Sequence, residues 1–169
     1  MDINVSQLLR EPIGATREHH IDTAADLNCD GKKHKITGDC TLLHTQQSIL
    51  VKCELDTLLE LTCSRCLNQF QYPVKIKFQD EFFPTVDVNT GVTLPPSDDV
   101  NAFTIDEHHI LDLSEAIRQY ALVNTPMKPL CKKECAGICP TCGKNLNEGK
   151  CDCPKDNIDP RWSKLAELQ

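Results

Sequence analysis

The sequence predicts an α+β fold, in which an antiparallel β-meander or small barrel carries one main helix and is followed by a cysteine-rich module. Short segments with alternating apolar residues follow one another between residues 36 and 83, and a helical repeat lies near residue 113. Six cysteines fall within Cys131–Cys153. We therefore expect a β-rich domain with an N-terminal arm over residues 1–125 and a separate module over residues 126–169.

The clearest predicted strand is Tyr72–Gln79, where apolar residues occupy every second position from Tyr72 to Phe78. This period of two is typical of a strand with one buried face. Cys29, Cys40 and Cys53 have no partner at ligand spacing, and the last two are predicted to be small buried residues within strands. Further strand-like runs cover residues 36–44, 48–55 and 57–63.

Helical and loop segments complete the predicted domain. Leu8 and Leu9 predict a short helical turn, and residues 84–101, rich in Pro, Gly and Asp, predict a long acidic loop. Residues 110–122 have apolar residues at helical spacing, with Asp112 predicted as the N-cap. Leu113, Ile117, Tyr120 and Ala121 form the stripe expected to face the core, and residues 159–168 predict a short terminal helix.

The chain is predicted to be cytoplasmic and without membrane contact, because no stretch approaches the ~18 apolar residues of a membrane span and no apolar leader is present. Thiols stay reduced in that compartment. Clustered cysteines are therefore interpreted as metal ligands before disulfides.

One predicted metal site is built around the segment Cys139-Pro-Thr-Cys142-Gly143. Two cysteines separated by two residues can direct both thiolates at one ion, and Gly143 permits a positive φ. Cys151 and Cys153 are spaced to return as a second pair. Since few apolar residues lie between these cysteines, a structural Zn²⁺ ion would have to stabilise the module.

A second C-x2-C pair, Cys63 and Cys66, lies between predicted strands, whereas a redox pair would be expected at the start of a helix. Cys131 and Cys135 remain to complete its site. The alternative is one zinc site drawn from the six C-terminal cysteines, with the first pair left as free thiols. The main prediction is two zinc sites, the first with Cys63, Cys66, Cys131 and Cys135 and the second with Cys139, Cys142, Cys151 and Cys153.

Charge and motifs limit the function classes. The net charge is −7, and the segment from Gln79 to Glu115 contains nine acidic residues and no Lys or Arg. Such a chain is repelled at long range by phosphate backbones, so any nucleic-acid contact must be local or made through a protein partner. Phosphate-binding loops, nucleophile elbows and catalytic metal motifs are absent from the sequence. Closed all-cysteine sites also leave no coordination position for water, so we predict that the chain is not an enzyme.

An ordered set of motifs resembles the YceD (DUF177) family, the large ribosomal RNA subunit accumulation proteins. The matching segments are Leu8–Gly14, Leu61–Leu67 with Phe70, Asp112–Leu113, Pro129–Cys131, Cys135–Gly143, Asn145–Asn147, Cys151–Cys153 and Asp159–Trp162. The resemblance implies ribosome biogenesis, through accumulation or processing of large-subunit (23S) rRNA. It also implies an rRNA precursor or pre-ribosomal particle as partner, with a ribosomal protein or RNase as a further candidate and no small-molecule substrate.

Two modes of action are considered. The chain could bind RNA directly, or it could be a zinc-stabilised acidic adaptor for a ribosomal protein or an RNA-processing enzyme without RNA contact. The net negative charge of the chain favours the adaptor, because it opposes overall attraction to RNA. The basic C-terminal third supports RNA contact. The candidate contact residues are Arg65, Lys75, Lys77, Lys128, Lys132, Lys133, Lys144, Lys150, Arg161 and Trp162.

Overall fold

A computed structural model describes residues 1–27, 31–95 and 102–153, which group into two compact units. The sheet unit comprises Met1–Leu61 and Gln71–Met127. The cysteine unit comprises Thr62–Phe70 and the described residues from Lys128 onward. Residues 62–70 therefore group with the C-terminal cysteines, although the predicted boundary at 125/126 assigned them to the β-rich domain. Cys29, Arg161, Trp162 and the predicted terminal helix lie outside the described residues.

Seven strands, one 3-10 turn and one α-helix form in the described part of the chain. The strands are β1 (Asp2–Asn4), β2 (Thr16–Ala25), β3 (His34–His44), β4 (Ile49–Thr62), β5 (Gln69–Pro84), β6 (Phe103–Ile105) and β7 (Ile110–Asp112). The 3-10 turn is Leu8–Arg10, as predicted, and helix α1 is Ser114–Asn124. None of the helices within these residues is long and apolar enough to cross a membrane.

The strands form one sheet in the order β1-β7-β6-β5-β4-β3-β2. The α+β class is confirmed, but the prediction of an antiparallel sheet is wrong in one respect. Strands β2, β3 and β4 pair antiparallel, whereas β6 pairs parallel with β5 and makes the sheet mixed. A parallel neighbour requires a crossover connection, and the chain between Pro84 and Phe103 supplies it.

Two element boundaries differ from the sequence prediction. The runs 48–55 and 57–63 belong to the single strand β4. Residues 110–112 form strand β7, so the helix begins later and Leu113, not Asp112, is its N-cap. Asp112 still supports the first helical turn, because its Oδ1 accepts hydrogen bonds from the backbone N–H (2.9 Å) and the Oγ–H (2.6 Å) of Ser114.

The core of the sheet unit lies between one face of the strands and helix α1. On β4 every second residue from Ile49 to Leu59 is buried, and on β5 the predicted alternation buries Val74, Ile76 and Phe78. The predicted helix stripe is confirmed: Leu113, Ile117 and Ala121 are fully buried. The partly buried Tyr120 stacks on Phe78 at 4.8 Å between ring centroids.

Cys40 and Cys53 are buried, as predicted, but they form a disulfide, which the sequence prediction missed. The two residues lie directly opposite each other on β3 and β4, with their Cα atoms 4.1 Å apart. Directly opposite residues of an antiparallel pair place their side chains on the same face of the sheet. The register therefore brings the two sulfurs together.

We predict that Gly38→Ala destabilises the sheet unit by about 2–4 kcal/mol. A Cβ at Gly38 would lie 2.2 Å from the backbone oxygen of Glu54, and the φ of Gly38 is +151°. Urea unfolding followed by circular dichroism measures the loss. Gly14→Ala is the matched control, because Gly14 also has a positive φ (+93°), but a Cβ added there would have no heavy atom within 4 Å. Equal losses in the two variants would contradict the steric explanation.

Candidate metal centre

The eight cysteines predicted as metal ligands form two groups in the described residues. Cluster 1 consists of Cys63, Cys66, Cys131 and Cys135, and cluster 2 consists of Cys139, Cys142, Cys151 and Cys153. Within each cluster all sulfur atoms lie within 4.8 Å of one another. This grouping follows the two-site prediction rather than the single-site alternative, because Cys131 and Cys135 approach the N-terminal pair. Metal binding by these residues stays a prediction.

The sulfur spacing of cluster 1 fits a tetrahedral zinc site. The Sγ atoms of Cys63 and Cys135 are 3.8 Å apart, and those of Cys66 and Cys131 are 3.7 Å apart. A tetrahedron with Zn–S bonds of about 2.3 Å has edges of about 3.8 Å. Four cysteine sulfurs at this spacing are the donor set of a closed, structural Zn²⁺ site.

The first pair of cluster 1 lies on a tight loop between β4 and β5. The backbone N–H of Leu67 donates to the carbonyl oxygen of Cys63 (3.0 Å), and the N–H of Cys63 donates to the carbonyl oxygen of Asn68 (2.9 Å). Leu67 has a φ of +61°, which is unusual for a residue with a side chain. We call this loop the first knuckle.

The segment around Cys139 repeats this hydrogen-bond pattern and forms the second knuckle. The N–H of Gly143 donates to the carbonyl oxygen of Cys139 (2.9 Å), and the N–H of Cys139 donates to the carbonyl oxygen of Lys144 (2.8 Å). Gly143 has the predicted positive φ, +71°. Leu67 and Gly143 therefore occupy equivalent positions, directly after the second cysteine of each knuckle.

Backbone N–H groups inside the knuckles favour ionised sulfur. Hydrogen bonds from the backbone, the largest contribution coming from the N–H of Cys66, lower the pKa of Cys63 to about 6. Likewise the N–H groups of Cys142 and Thr141 lower the pKa of Cys139 to about 6. Thiolates with this stabilisation are good metal ligands at neutral pH.

In each cluster one thiol is strongly disfavoured as a thiolate. Burial, followed by the neighbouring Cys66, raises the pKa of Cys131 to about 12. A hydrogen bond with Cys142, followed by burial, raises the pKa of Cys153 to about 12. Thiolates a few ångströms apart repel one another strongly. A bound divalent cation would offset this repulsion and favour deprotonation of every ligand.

Little apolar packing supports the clusters themselves. Around cluster 1 only Phe70, Leu130 and the buried cysteines pack together among the described residues. Two hydrogen bonds add to this contact, from the N–H of Ser64 to the carbonyl oxygen of Pro129 (2.8 Å) and from Arg65 Nη1 to the carbonyl oxygen of Cys135 (3.1 Å). A metal ion in each cluster would add folding free energy that the few apolar contacts among the described residues do not supply.

Asn147 is a site residue that sequence reasoning missed as a contributor to cluster 1. Its Nδ2 lies 3.3 Å from Cys135 Sγ, and this hydrogen bond is the first cause of the lowered pKa of Cys135. Asn147 stands within the motif Asn145-Leu146-Asn147, but that motif precedes Cys151 and so gave no reason to assign it to the other cluster.

The candidate RNA-contact residues are divided between the two units. Lys75 and Lys77 are exposed on β5, where Lys77 Nζ forms an ion pair with Glu54 (2.9 Å). The described lysines of the cysteine unit are also exposed, and none of them forms an ion pair with another described residue. Exposed basic residues of the cysteine unit are Arg65, Lys128, Lys132, Lys133, Lys144 and Lys150, against the acidic Glu134, Glu148 and Asp152.

Comparison with known proteins supports the resemblance. Residues 51–169 match the family model described as "Large ribosomal RNA subunit accumulation protein YceD". The chain belongs to the YceD family. Both cysteine clusters of this YceD chain fall inside the matched region.

Curated relatives extend the comparison. An uncharacterized protein of Mycobacterium tuberculosis is 32% identical over 106 residues, which cover 63% of this chain and 48% of the relative. An uncharacterized protein of Mycobacterium leprae is 26% identical over 151 residues, covering 88% of this chain and 61% of the relative. The chain thus spans about half the length of the first of these relatives.

A plant relative carries the family name. The "Large ribosomal RNA subunit accumulation protein YCED homolog 1, chloroplastic" of Arabidopsis thaliana is 34% identical over 59 residues, which cover 35% of this chain and 18% of the relative. No solved structure matches the chain.

We predict that Leu67→Gly tightens metal binding at cluster 1 of this YceD chain by about 2- to 5-fold. The change removes about 0.5–1 kcal/mol of net left-handed backbone strain, and the Leu67 side chain is 61% exposed, so little packing is lost. Competition with a chelator measures the affinity. Gly143→Leu, at the equivalent position of the second knuckle, is expected to weaken cluster 2 by a similar factor. An unchanged affinity in both variants would contradict the equivalence of the two positions.

Proposed function

We propose that the chain is a non-enzymatic ribosome-biogenesis factor that supports accumulation of large-subunit (23S) rRNA, and that its cysteine unit contacts the rRNA precursor. The family description and the name of the Arabidopsis relative supply the RNA class. The proposal places two structural Zn²⁺ ions in clusters 1 and 2, where the sulfur spacing supports them. The ions would hold the knuckles in shape, and four cysteine ligands at each ion leave no position for a reactive water.

The observation that carries RNA contact is the separation of charge between the units. Basic residues outnumber acidic ones in the described cysteine unit, whereas acidic residues outnumber basic ones in the described sheet unit. The lysines Lys132 and Lys133 are adjacent, exposed and without an ion pair in the described residues. Each zinc ion with four thiolates carries a charge of −2, so attraction to phosphate must come from such lysines at short range.

We predict that a transcript of the large-subunit rRNA precursor binds with a salt dependence set by a few phosphate contacts. Three contacts to single-stranded RNA give a slope of log affinity on log salt of about −2, since each contributes about 0.7. Lys132→Gln with Lys133→Gln is expected to make the slope shallower by about 1.4. Fluorescence anisotropy at several salt concentrations measures both quantities.

Lys75→Gln provides the matched control for this test. It removes one exposed lysine from the sheet unit, so the slope is expected to stay unchanged if the cysteine unit makes the contact. A shallower dependence of log affinity on log salt in this control would indicate that the sheet unit makes the contact. Absence of RNA binding at about 50 mM salt would end the direct-contact proposal.

The second candidate is an acidic adaptor for a ribosomal protein or an RNase. The acidic balance of the sheet unit favours it, because a basic partner would be attracted to that unit. Ultraviolet crosslinking in purified precursor particles separates the two candidates. RNA crosslinks in the cysteine unit support direct contact, whereas protein crosslinks in the sheet unit with no RNA crosslink support the adaptor.

A further inference from the structure

The loop that joins the two halves of cluster 2 is hydrogen-bonded to the stretch of chain that links the two clusters. The loop spans residues 143–150, between Cys142 and Cys151. The N–H of Leu146 donates to the carbonyl oxygen of Gly137 (2.8 Å), and Asn145 forms an antiparallel bridge with Ile138. Gly137 lies two residues after the cluster 1 ligand Cys135. The tip of the cluster 2 loop therefore lies against residues 137–138, between the last ligand of cluster 1 and the first ligand of cluster 2.

Asn147, on the same loop, forms a hydrogen bond with a sulfur ligand of cluster 1. Its Nδ2 donates to Cys135 Sγ (3.3 Å), while its Oδ1 accepts the backbone N–H of Ala136 (3.0 Å). The Ala136 N–H can only donate, so it fixes the carbonyl end of the amide and directs the NH2 end at the sulfur. Hydrogen bonds of this kind to a metal ligand orient the ligand and stabilise its charge.

The geometry of Asn147 depends on the folded loop. Asn145 Oδ1 accepts hydrogen bonds from the backbone N–H (3.0 Å) and the Nδ2 (2.8 Å) of Asn147. Asn145 Nδ2 in turn donates to Glu148 Oε1 (2.9 Å). These are local contacts among exposed or half-buried residues, with little apolar packing to hold them. Closure of the loop by a metal ion bound to Cys142 and Cys151 would supply the constraint that they lack.

We propose that Asn147 couples the two metal sites, so that an ion in cluster 2 raises the metal affinity of cluster 1. The loaded cluster 2 fixes the 143–150 loop, and the fixed loop places the Asn147 amide against the Cys135 thiolate. Coupling of binding is reciprocal, so an ion in cluster 1 favours loading of cluster 2 by the same factor. This inference rests on the zinc binding in the proposed function.

A double-mutant cycle on the full chain tests the coupling. The affinity of cluster 1 for Co²⁺ is measured by chelator competition in the parent protein, in Cys151→Ser with Cys153→Ser, in Asn147→Ala, and in the combined variant. The Co²⁺ signal of cluster 1 is identified as the signal that disappears in Cys63→Ser. Each change alone is expected to weaken cluster 1 by about 10-fold, a typical coupling, and the combined variant to be no weaker than either. Independent losses that multiply would overturn the proposal.

Absorption spectroscopy separates the hydrogen bond from general loosening of the loop. Removal of an N–H donor raises the energy of the sulfur lone pairs, so the sulfur-to-cobalt charge-transfer band of cluster 1 is expected to move to lower energy in Asn147→Asp. That variant keeps an acceptor for Ala136 if the loop folds. Asn68→Asp is the control, because Asn68 is exposed in the first knuckle and contacts Cys63 through its backbone oxygen. An equal band shift in both variants would overturn the role of Asn147.

Failure of this inference differs from failure of the proposed function. Two Co²⁺ ions that bind with no change of cluster 1 affinity in any variant would overturn the coupling and leave zinc binding intact. Absence of Co²⁺ binding to the parent protein would overturn both.

Discussion

The purified, reduced protein is expected to contain two zinc ions per chain, and Cys63→Ser and Cys139→Ser are each expected to remove one. Each substitution replaces one sulfur ligand of a different cluster. Serine is a poor zinc ligand, and the three cysteines left in the altered cluster lose most of the affinity of a closed site. Elemental analysis of the purified variants gives the zinc count, and Co²⁺ absorption confirms thiolate coordination.

The same substitutions are expected to unfold parts of the cysteine unit while the sheet unit stays folded. The main hydrophobic core, from Ile3 to Ala121, consists of sheet-unit residues. By contrast, cluster 1 has only a few apolar contacts of its own in the described chain. Hydrogen exchange should therefore show lost protection around residues 139–151 in Cys139→Ser and around residues 62–68 in Cys63→Ser, with the β4 amides before residue 61 unchanged.

Cys40→Ala with Cys53→Ala is the matched control for the zinc count. It removes the disulfide-bonded pair, which lies outside both clusters, without leaving a free thiol, so two zinc ions should remain. A zinc count that is unchanged in both ligand variants would rule out the two-site assignment. A parent protein that contains one zinc ion would support the single-site alternative.

The sequence predicted the grouping of the cysteines better than it predicted the sheet. The C-x2-C spacing places two sulfurs together through local backbone geometry, so the knuckles could be recognised without tertiary information. The pairing of the first knuckle with Cys131 and Cys135 followed from counting the cysteines that remained. Asn147 could not be assigned in this way, because its contact with Cys135 depends on how the cluster 2 loop packs.

Strand β2 was missed because it has a weak pattern. Thr16–Ala25 contains charged residues and buries only Ile21, since it is an edge strand of the described sheet. The helix start was misplaced for a related reason. Ile110, Leu111 and Leu113 fit both a helical stripe and the end of a buried strand, and short apolar runs do not distinguish the two. Ile110–Asp112 form a strand because they pair with Asp2–Asn4, more than a hundred residues away in the sequence.

The disulfide was missed because its formation depends on register. Cys40 and Cys53 are 13 residues apart, and nothing in that spacing shows which residues of β3 and β4 lie opposite each other. A shift of the register by one residue would place the two side chains on different faces. Tertiary structure therefore changed the chemistry assigned to these two cysteines, although their burial was predicted correctly.

Reduction of the Cys40–Cys53 disulfide is expected to lower the free energy of unfolding of the sheet unit by about 3 kcal/mol. The bond closes a loop with a sequence separation of 13, and the restriction of the unfolded chain by a loop of that size has about this value. Urea unfolding of the oxidised and reduced proteins, followed by circular dichroism, measures the difference. The double variant Cys40→Ala with Cys53→Ala should be insensitive to reductant, which controls for effects of reductant on bound zinc.

Reduction should also require unfolding. Both sulfurs belong to residues that are at most 1% exposed, and thiol–disulfide exchange needs access of the attacking group to a sulfur atom. Peptide mapping after alkylation should therefore find the disulfide intact when a phosphine or thiol reductant is added to the native protein. It should be lost when urea is present. Burial would then explain how a disulfide persists in the same chain as eight cysteines that must stay reduced to bind metal. Rapid reduction without denaturant, or two free thiols in freshly purified protein, would contradict this account.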